Sequence, residues 1–496
     1  MAPEPLLRLG RIQGNSVAGF RQDHQAFVFG RITRAPAFRE WLAAVVPTIS
    51  TARQVLDHNA RFRELRDAAG SEPAELVATW RNIAFSAAGL RRLVGARPVA
   101  AFLDDAFREG MPVRSGLLGD PHEGPGSPAR WRFGGTAATE PHLVVTVASD
   151  DAGIRDREVE RLVAGARGWR PVWVQPGDNL PGAMAGHEHF GFRDGISQPG
   201  LRGRGSRGPG DLVTPRDPGL PRSLRSRFAR SGQPLLWPGQ VVLGAPAQNP
   251  LDPVRPAPRR PLPGPPWCRD GSFLVIRRLR QDVAGFWALA RRIGRATGRD
   301  PIAAAARLVG RWPGGAPLVT SPDRDDPAQE RRNDFLYEAT DPDGARCPFA
   351  AHIRKVNPRD VTPEQGGASD TLTRLMLRRG IAYGPPTAAE PWRLRRDDGV
   401  DRGLVFAAQM ASIVDQFEFL PQNWTNDPLQ PEGGGHDPLI GQEDAGARRR
   451  FVEVPRASDG TSVRIRIDRE VVVPTGGGYF FAPSTAVLAG VLSRTP

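Results

Sequence analysis

The sequence predicts an α+β protein built of two halves of similar layout, and three observations carry that prediction. Short apolar runs of strand composition alternate with stretches of helical spacing; Pro-, Gly- and Arg-rich text over residues 200–266 interrupts them; and beyond it the same order of strand and helix begins again. At 496 residues the chain exceeds what one hydrophobic core usually serves. The expected division is an N-terminal domain over 1–199, a connection over 200–266 and a C-terminal domain over 267–496.

"HQAFVFGRI" (24–32) is apolar and aromatic and predicts a strand. In "PAFREWLAAVVPTIS" after it, Phe38, Leu42 and Val45 mark a helical face. "HLVVTVASD" (142–150) predicts a second strand, "DREVERLVAGARGW" a helix through Val159, Leu162, Val163 and Ala166, and "PVWVQ" a third strand. The connection lacks periodicity, so loop is expected, interrupted by a short strand at "GQVVLG". The second half repeats the layout: strand "GSFLVIRRL" (271–279), helix "QDVAGFWALARRIG", strand "RGLVFAAQMAS" (402–412), a helix starting at "IVDQFEFL" and a last strand at "RRRFVEVP". Two such halves place a pocket at or near their contact.

Composition narrows the function classes. Hydrophobic residues at 39% and charged residues at 24% describe a soluble globular protein, while 50 Pro and 56 Gly foretell long irregular connections. The net charge of +13 suggests nucleic acid until its distribution is inspected. Lys355 is the one lysine, and the arginines are spread through every segment without helix-turn-helix, zinc-finger or aromatic RNA-binding patterns, so nucleic acid is not expected as a partner. Cys268 and Cys347 make no disulfide framework, no apolar run could cross a bilayer, and the first residues show no signal-peptide pattern. A cytoplasmic location with no membrane contact is expected, and a homo-oligomer stays open.

Three stretches could carry chemistry. In "HFGFRDGISQPG" (189–200), Gly191 and Gly195 bracket Asp194, with Arg193 beside it and His187 and His189 upstream; an ordinary surface turn would look the same. In "RCPFAAHIRKVNPR", His352 emerges from Cys347, Phe349, Ala350 and Ala351, and Arg354, Lys355 and Arg359 follow. An imidazole at an apolar wall with cations next to it is what an iron porphyrin needs; a loop histidine bonded to backbone is the plain alternative. His187, His189 and His436 lack such a wall, and Cys347-Pro348 offers a rival thiolate ligand. In "TRLMLRRGIAYGP" (373–385), an apolar stretch delivers Arg378 and Arg379 into a turn. Arg379 is expected to snorkel at the surface; for Arg378 the alternative to snorkelling is a fixed charge in a pocket.

Taken in order, "GFRDG" with "SQPG", "CPFAAHIRKVNPR" and "LRRGIAYG" resemble the dye-decolourising peroxidases, and the likeness extends from "IQGNSVAGFRQDHQAFVF" to "PTGGGYFFAPS". The resemblance implies two ferredoxin-like halves with antiparallel sheets, of dimeric α+β barrel type, and one haem b in the C-terminal half. His352 is then the proximal iron ligand, Asp194 the distal acid/base and Arg378 the distal cation that also meets the cofactor. Arg354 becomes a propionate partner, Gly195 lets the backbone pass close over the haem face, and Asp415 or Glu418 bonds the proximal histidine.

The implied activity is reduction of hydrogen peroxide at the expense of an organic, phenolic or dye-like donor, through a ferryl intermediate. An aspartate beside an arginine is poised to move the peroxide proton in acidic solution. A surface tryptophan could relay electrons. The alternative from another class is a haem-binding or haem-handling protein without catalysis, which has no need of the Asp194 and Arg378 pair.

Overall fold

The computed structural model describes residues 4–70, 76–258, 261–362, 367–442 and 450–494. Strand β1 (His24–Ile32) buries every residue except His24 and Arg31. Helix α1 (Ala35–Val45) starts with Pro36 in its first turn and buries Phe38, Trp41, Leu42 and Val45, one face at the 3.6 period. Helix α2 (Ala52–Ala69) opens on a reciprocal Thr51–Gln54 cap and stops at Gly70, whose φ of 69° suits glycine. Strands β2 (Thr79–Phe85) and β3 (Leu143–Ser149), helix α3 (Ala152–Ala164), capped by Asp151, and strand β4 (Trp169–Asp178) complete the first half.

These four strands pair antiparallel in the order β4–β1–β3–β2. In the second half, strand β5 (Ser272–Gln281) leads into helix α4 (Val283–Thr297) and helix α5 (Pro301–Val309). Then come the short helix α6 (His352–Lys355), strands β6 (Leu377–Arg378), β7 (Ile381–Tyr383) and β8 (Gly403–Met410), and strand β9 (Val472–Ala482). The order β9–β5–β8–β7 repeats that of the first half, fourth strand beside first, first beside third, third beside second. Both halves are thus ferredoxin-like, as expected.

A single pairing, Phe481 opposite Phe85, joins β9 to β2 and makes one nine-stranded sheet. At the far edges no ladder closes the ring, yet β4 and β7 come close: a Cβ on Gly177 would stand 2.5 Å from Ile381 Cγ2. Glycine is what this approach tolerates. The curled sheet encloses Phe27, Phe29, Val144, Ile276, Val405 and Phe480, drawn from both halves, and Phe29 stacks on Phe133 at 3.8 Å. Residues of opposite parity on the same strands, Phe85, Val145, Phe273 and Phe481, beside Ala84, Val144, Leu274 and Phe480, belong to the core on the other face. Each such buried side chain contributes about 1.5–3 kcal/mol of apolar burial.

Three segments depart from expectation. "GQVVLG" is no strand: Pro238–Gln240 forms a tight turn, and Val241 and Val242 serve packing against Leu9, Leu236 and Leu377. The connection is not plain loop either, because Gly200–Leu201, Gln233–Leu236 and Phe228–Arg230 make a three-stranded sheet of their own. The "RRRFVEVP" strand exists as Phe451–Pro455, its first two residues lying outside the described ones, but it forms a separate two-stranded ladder with Ser462–Arg466, bridged to Gly435, and does not join the main sheet. The last strand of the main sheet is instead β9, which is not expected from the sequence, because Gly476, Gly477 and Gly478 hide it from a propensity reading. "IVDQFEFL" does start helical turns, the wide ones at Ile413–Glu418 and Pro421–Thr425. No helix among the described residues is long and apolar enough to cross a membrane.

Candidate active site

A cavity of about 400 Å³ lies where the halves meet, with Asp194, His352 and Arg378 all on its wall. Alternate residues of β5, Arg277, Leu279 and Gln281, form one side, and Leu404, Val405 and Phe406 of β8 add apolar surface. The second half supplies most of the wall, but the acid comes from the loop that ends the first half.

His352 opens α6, and Cys347 and Ala351 just before it share one apolar cluster with Ala303 and Ala306 of α5. Its Nδ1 lies 2.8 Å from Asp437 Oδ2. The other oxygen, Oδ1, accepts the Leu439 and Ile440 N–H groups at 2.9 and 3.0 Å. Burial alone would push the imidazole pKa down, but the charge and hydrogen bond of Asp437 outweigh it and hold the ring above its usual value. Burial likewise works to raise Asp437, and His352 with the two N–H groups overcomes it, leaving the carboxyl below its ordinary value. With Nδ1 committed, Nε2 is the nitrogen available for a ligand.

The loop that carries Asp194 is built from its own backbone. Glu188 accepts the N–H groups of Phe190 and Phe192 at 2.8 and 2.9 Å, Phe190 stacks on Phe286 at 4.4 Å, and Asp194 N–H donates to Gly186 O at 3.0 Å. Gly191 and Gly195 have φ of 98° and 75°, which explains both glycines. A Cβ on Gly195 would meet no protein atom within 4 Å, since the residue stands on the cavity wall, and its φ by itself favours glycine. Arg378 NH1 stands 3.5 Å from Asp194 Oδ1, and its NH2 donates to Ser197 O at 2.9 Å. The Gln198 amide holds the Arg378 carbonyl at 2.8 Å. Both charges reach His352 electrostatically, so the three residues share one field.

Two further arginines face the cavity with no ion-pair partner among the described residues, Arg311 and Arg359. Both donate to Asn333 Oδ1, at 3.0 and 2.6 Å, and both lie over the Phe335 ring. Burial, then repulsion by Arg359, pulls Arg311 down to about 10. Arg359 adopts φ of 59°, a left-handed conformation that a non-glycine residue pays for with strain. Both arginines also donate to backbone carbonyls, Arg311 to Gly315 and Arg332, Arg359 to Asn333 and Phe335. The set still fits an iron porphyrin: an imidazole oriented through Nδ1 by a carboxylate, apolar walls, and two cations at the wall that meet no carboxylate among the described residues.

Several expectations are corrected. Arg354 does not face the cavity: it is fully buried, bound to Glu432 and Asp341, and sandwiched between Tyr337 and Phe349. The acid at His352 is Asp437, not Asp415 or Glu418; Glu418 is wholly buried against Arg114 and the Tyr479 hydroxyl. Arg379 is no snorkelling residue, since its guanidinium donates to the carbonyls of Asn15, Val17 and Arg378 and burial pushes it down to about 9. Cys347 is buried away from the cavity wall and burial drives its thiol up to about 12, against a thiolate ligand. His189 bonds the Tyr383 carbonyl at 2.9 Å, His187 caps Ala185 O, and His436 packs on Phe451. Sequence reading missed Asp437 and Arg311. Asp437 directly follows a histidine in Gly-rich text, and Arg311 lies 41 residues before His352, so neither carries a local signal.

The chain is similar to known proteins over nearly its full length. Residues 11–168 match the family model described as the DyP dimeric alpha+beta barrel domain. The dye-decolorizing peroxidase msp1 of Mycetinis scorodonius is 32% identical, covering 98% of this chain and 88% of that protein. AauDyP1 of Auricularia auricula-judae is 31% identical over 97% of this chain and 86% of its own. Among solved structures, an ancestral D-type dye decolorizing peroxidase superposes with a TM-score of 0.78 at 30% identity, covering 99% of this chain and all of that one. A dye-decolorizing peroxidase in complex with 2,6-dimethoxyphenol gives 0.77 at 29%, with the same coverage. A deferrochelatase of Yersinia pestis matches only 35% of this chain and 33% of its own, at 28% identity.

Proposed function

Because the chain belongs to the dye-decolourising peroxidase family, we propose that it is a haem b peroxidase in which Asp194, Arg378 and His352 divide the work on hydrogen peroxide. The observation that carries this is one cavity shared by the oriented His352–Asp437 pair and by Asp194 with Arg378. His352 Nε2 would hold the iron, and Arg311 and Arg359 the propionates. When bound, haem supplies the site where peroxide docks and the electron store that cleaves its O–O bond.

Asp194, as carboxylate, accepts the proton of the near peroxide oxygen and returns it to the far one, so that the leaving oxygen departs as water. Arg378, fixed by Ser197 and Gln198, donates toward the negative charge that develops on that oxygen. Asp437 keeps the proton on His352 Nδ1, orients the ring and increases its electron donation. Two one-electron donors then restore the resting state, with phenols or dyes as the expected class. The 3.5 Å between Arg378 and Asp194 suits a pair that tightens only on substrate.

The test is to load the protein with haem, record its visible spectrum and add one equivalent of peroxide. A Soret band that converts within the mixing time and returns on addition of a phenol supports the peroxidase. A stable, unreactive Soret band favours the haem-handling alternative.

A further inference from the structure

Six positions before Asp194 on the same loop stands a second carboxyl group that the peroxide chemistry does not use. Glu188 lines the cavity yet is only 9% exposed. It is built into the loop from both ends: its carboxylate accepts two loop N–H groups, its own N–H donates to Phe192 O at 2.9 Å, and its carbonyl accepts from Gly191 N–H at 2.9 Å. A group so connected fixes the path of the backbone to Asp194.

Its remaining partner is the side-chain amide of Gln281, at the end of β5. That amide meets Glu188 through nitrogen, while its oxygen is buried with no partner among the described residues. A half-turn of the amide exchanges donor for acceptor. Gln281 can therefore satisfy Glu188 in either state, donating N–H to the carboxylate or accepting O–H from the acid. Burial pushes Glu188 up to about 7, and the charge of Asp194 adds to the rise, while Phe190 N–H, the Gln281 amide and Phe192 N–H act against it. From the neighbouring elements Glu188 faces Gln281, which is neutral. His189 points to Tyr383 O and burial pulls its pKa down to about 4, and Arg193 pairs with Glu330 at 3.3 Å.

We propose that Glu188 is the positioning residue of the distal carboxylate, and that its proton, exchanged against the Gln281 amide, sets the upper pH limit of peroxide turnover. In the acid form Glu188 anchors the loop and leaves Asp194 as the loop's only negative group. Ionised, it places a second negative charge at the cavity wall, against the negative charge that develops on the departing oxygen, and slows that step. The proposal rests on the peroxidase reading.

The experiment uses ferric holoenzyme, wild type, Glu188→Gln and Gln281→Met. Infrared spectroscopy should show a carboxylic C=O band in wild type that titrates near neutral pH and is missing from Glu188→Gln. The rate of the peroxide reaction should fall in wild type by about tenfold across that midpoint, to a slower plateau, and the fall should vanish in Glu188→Gln. Gln281→Met, which keeps the carboxyl but takes a donor from its ionised form, should move both midpoints upward, and it carries the test if Glu188→Gln does not fold. Peroxide reactivity with the same alkaline limb in all variants, and no band lost, would overturn the role of Glu188 alone. A wild-type holoenzyme inert to peroxide would overturn the peroxidase reading with it.

Discussion

His352 Nδ1 lies 2.8 Å from the carboxylate of Asp437, which has no exposed surface. A buried carboxylate that also holds two backbone N–H groups cannot swing away, so the ring is fixed by the protein and not by its ligand. Asp437→Asn keeps the shape and loses the charge. It should weaken metal retention or activity by about 10–100-fold and lower the iron–histidine stretching frequency of the reduced protein; an unchanged frequency would show that Asp437 does not tune the ligand.

Arg354 gives a second prediction, because its buried ion pairs compete with its expected place at the haem. Arg354→Met leaves Asp341 and Glu432 without their cation and should destabilise the fold by about 3–5 kcal/mol. Haem bound per folded molecule should not change. Denaturant titration and pyridine haemochrome assay measure the two separately, and loss of haem without loss of stability would return Arg354 to the propionates.

Arg311 and Arg359 should behave in the opposite way. Arg359→Met removes a cation that faces the cavity and meets no carboxylate, so haem transfer to an apoprotein acceptor should accelerate by more than the stability lost with its hydrogen bonds to Asn333 and Phe335 accounts for. Equal transfer rates in wild type and variant would remove Arg359 from the cofactor site.

Acid should destabilise the fold through its buried histidines. Burial, followed by the repulsion of Arg31 and Arg92, pulls His142 down to about 4, and its Nδ1 accepts the Ile32 N–H. A histidine whose folded pKa lies below the unfolded one binds fewer protons when folded. Its contribution is therefore complete above about pH 6.5 and is lost as the pH falls toward 4. His142→Gln should spare about 2 kcal/mol of the stability that wild type loses between about pH 6.5 and 4.5. Glu188, raised, acts with the opposite sign, so the comparison must be made variant against wild type. Parallel losses in the two proteins would contradict the assignment.

Much of the fold was legible because both halves write their strands in apolar text: β1, β3, β5 and β8 each announce themselves. β9 did not, since three successive glycines depress its propensity and only its neighbours β5 and β2 give them a sheet to join. Asp194, His352 and Arg378 stand in compact motifs and could be singled out from the sequence, and the fold puts all three on one cavity wall. Partners chosen by the fold were not: Asp437 reaches His352 across 85 positions, and nothing local distinguishes it from Asp415. Arg354 and Arg359 stand in the same basic run, and only their burial tells which became an ion pair and which turned to the cavity.

The most direct test of the central claim is the single-turnover reaction of ferric holoenzyme with peroxide, wild type against Asp194→Asn, followed at the Soret band. The account predicts an unchanged resting spectrum and haem content, with conversion slowed by about a hundredfold to ten-thousandfold. Conversion at the wild-type rate would contradict it, and the proton of the peroxide would have to be moved by some group other than Asp194.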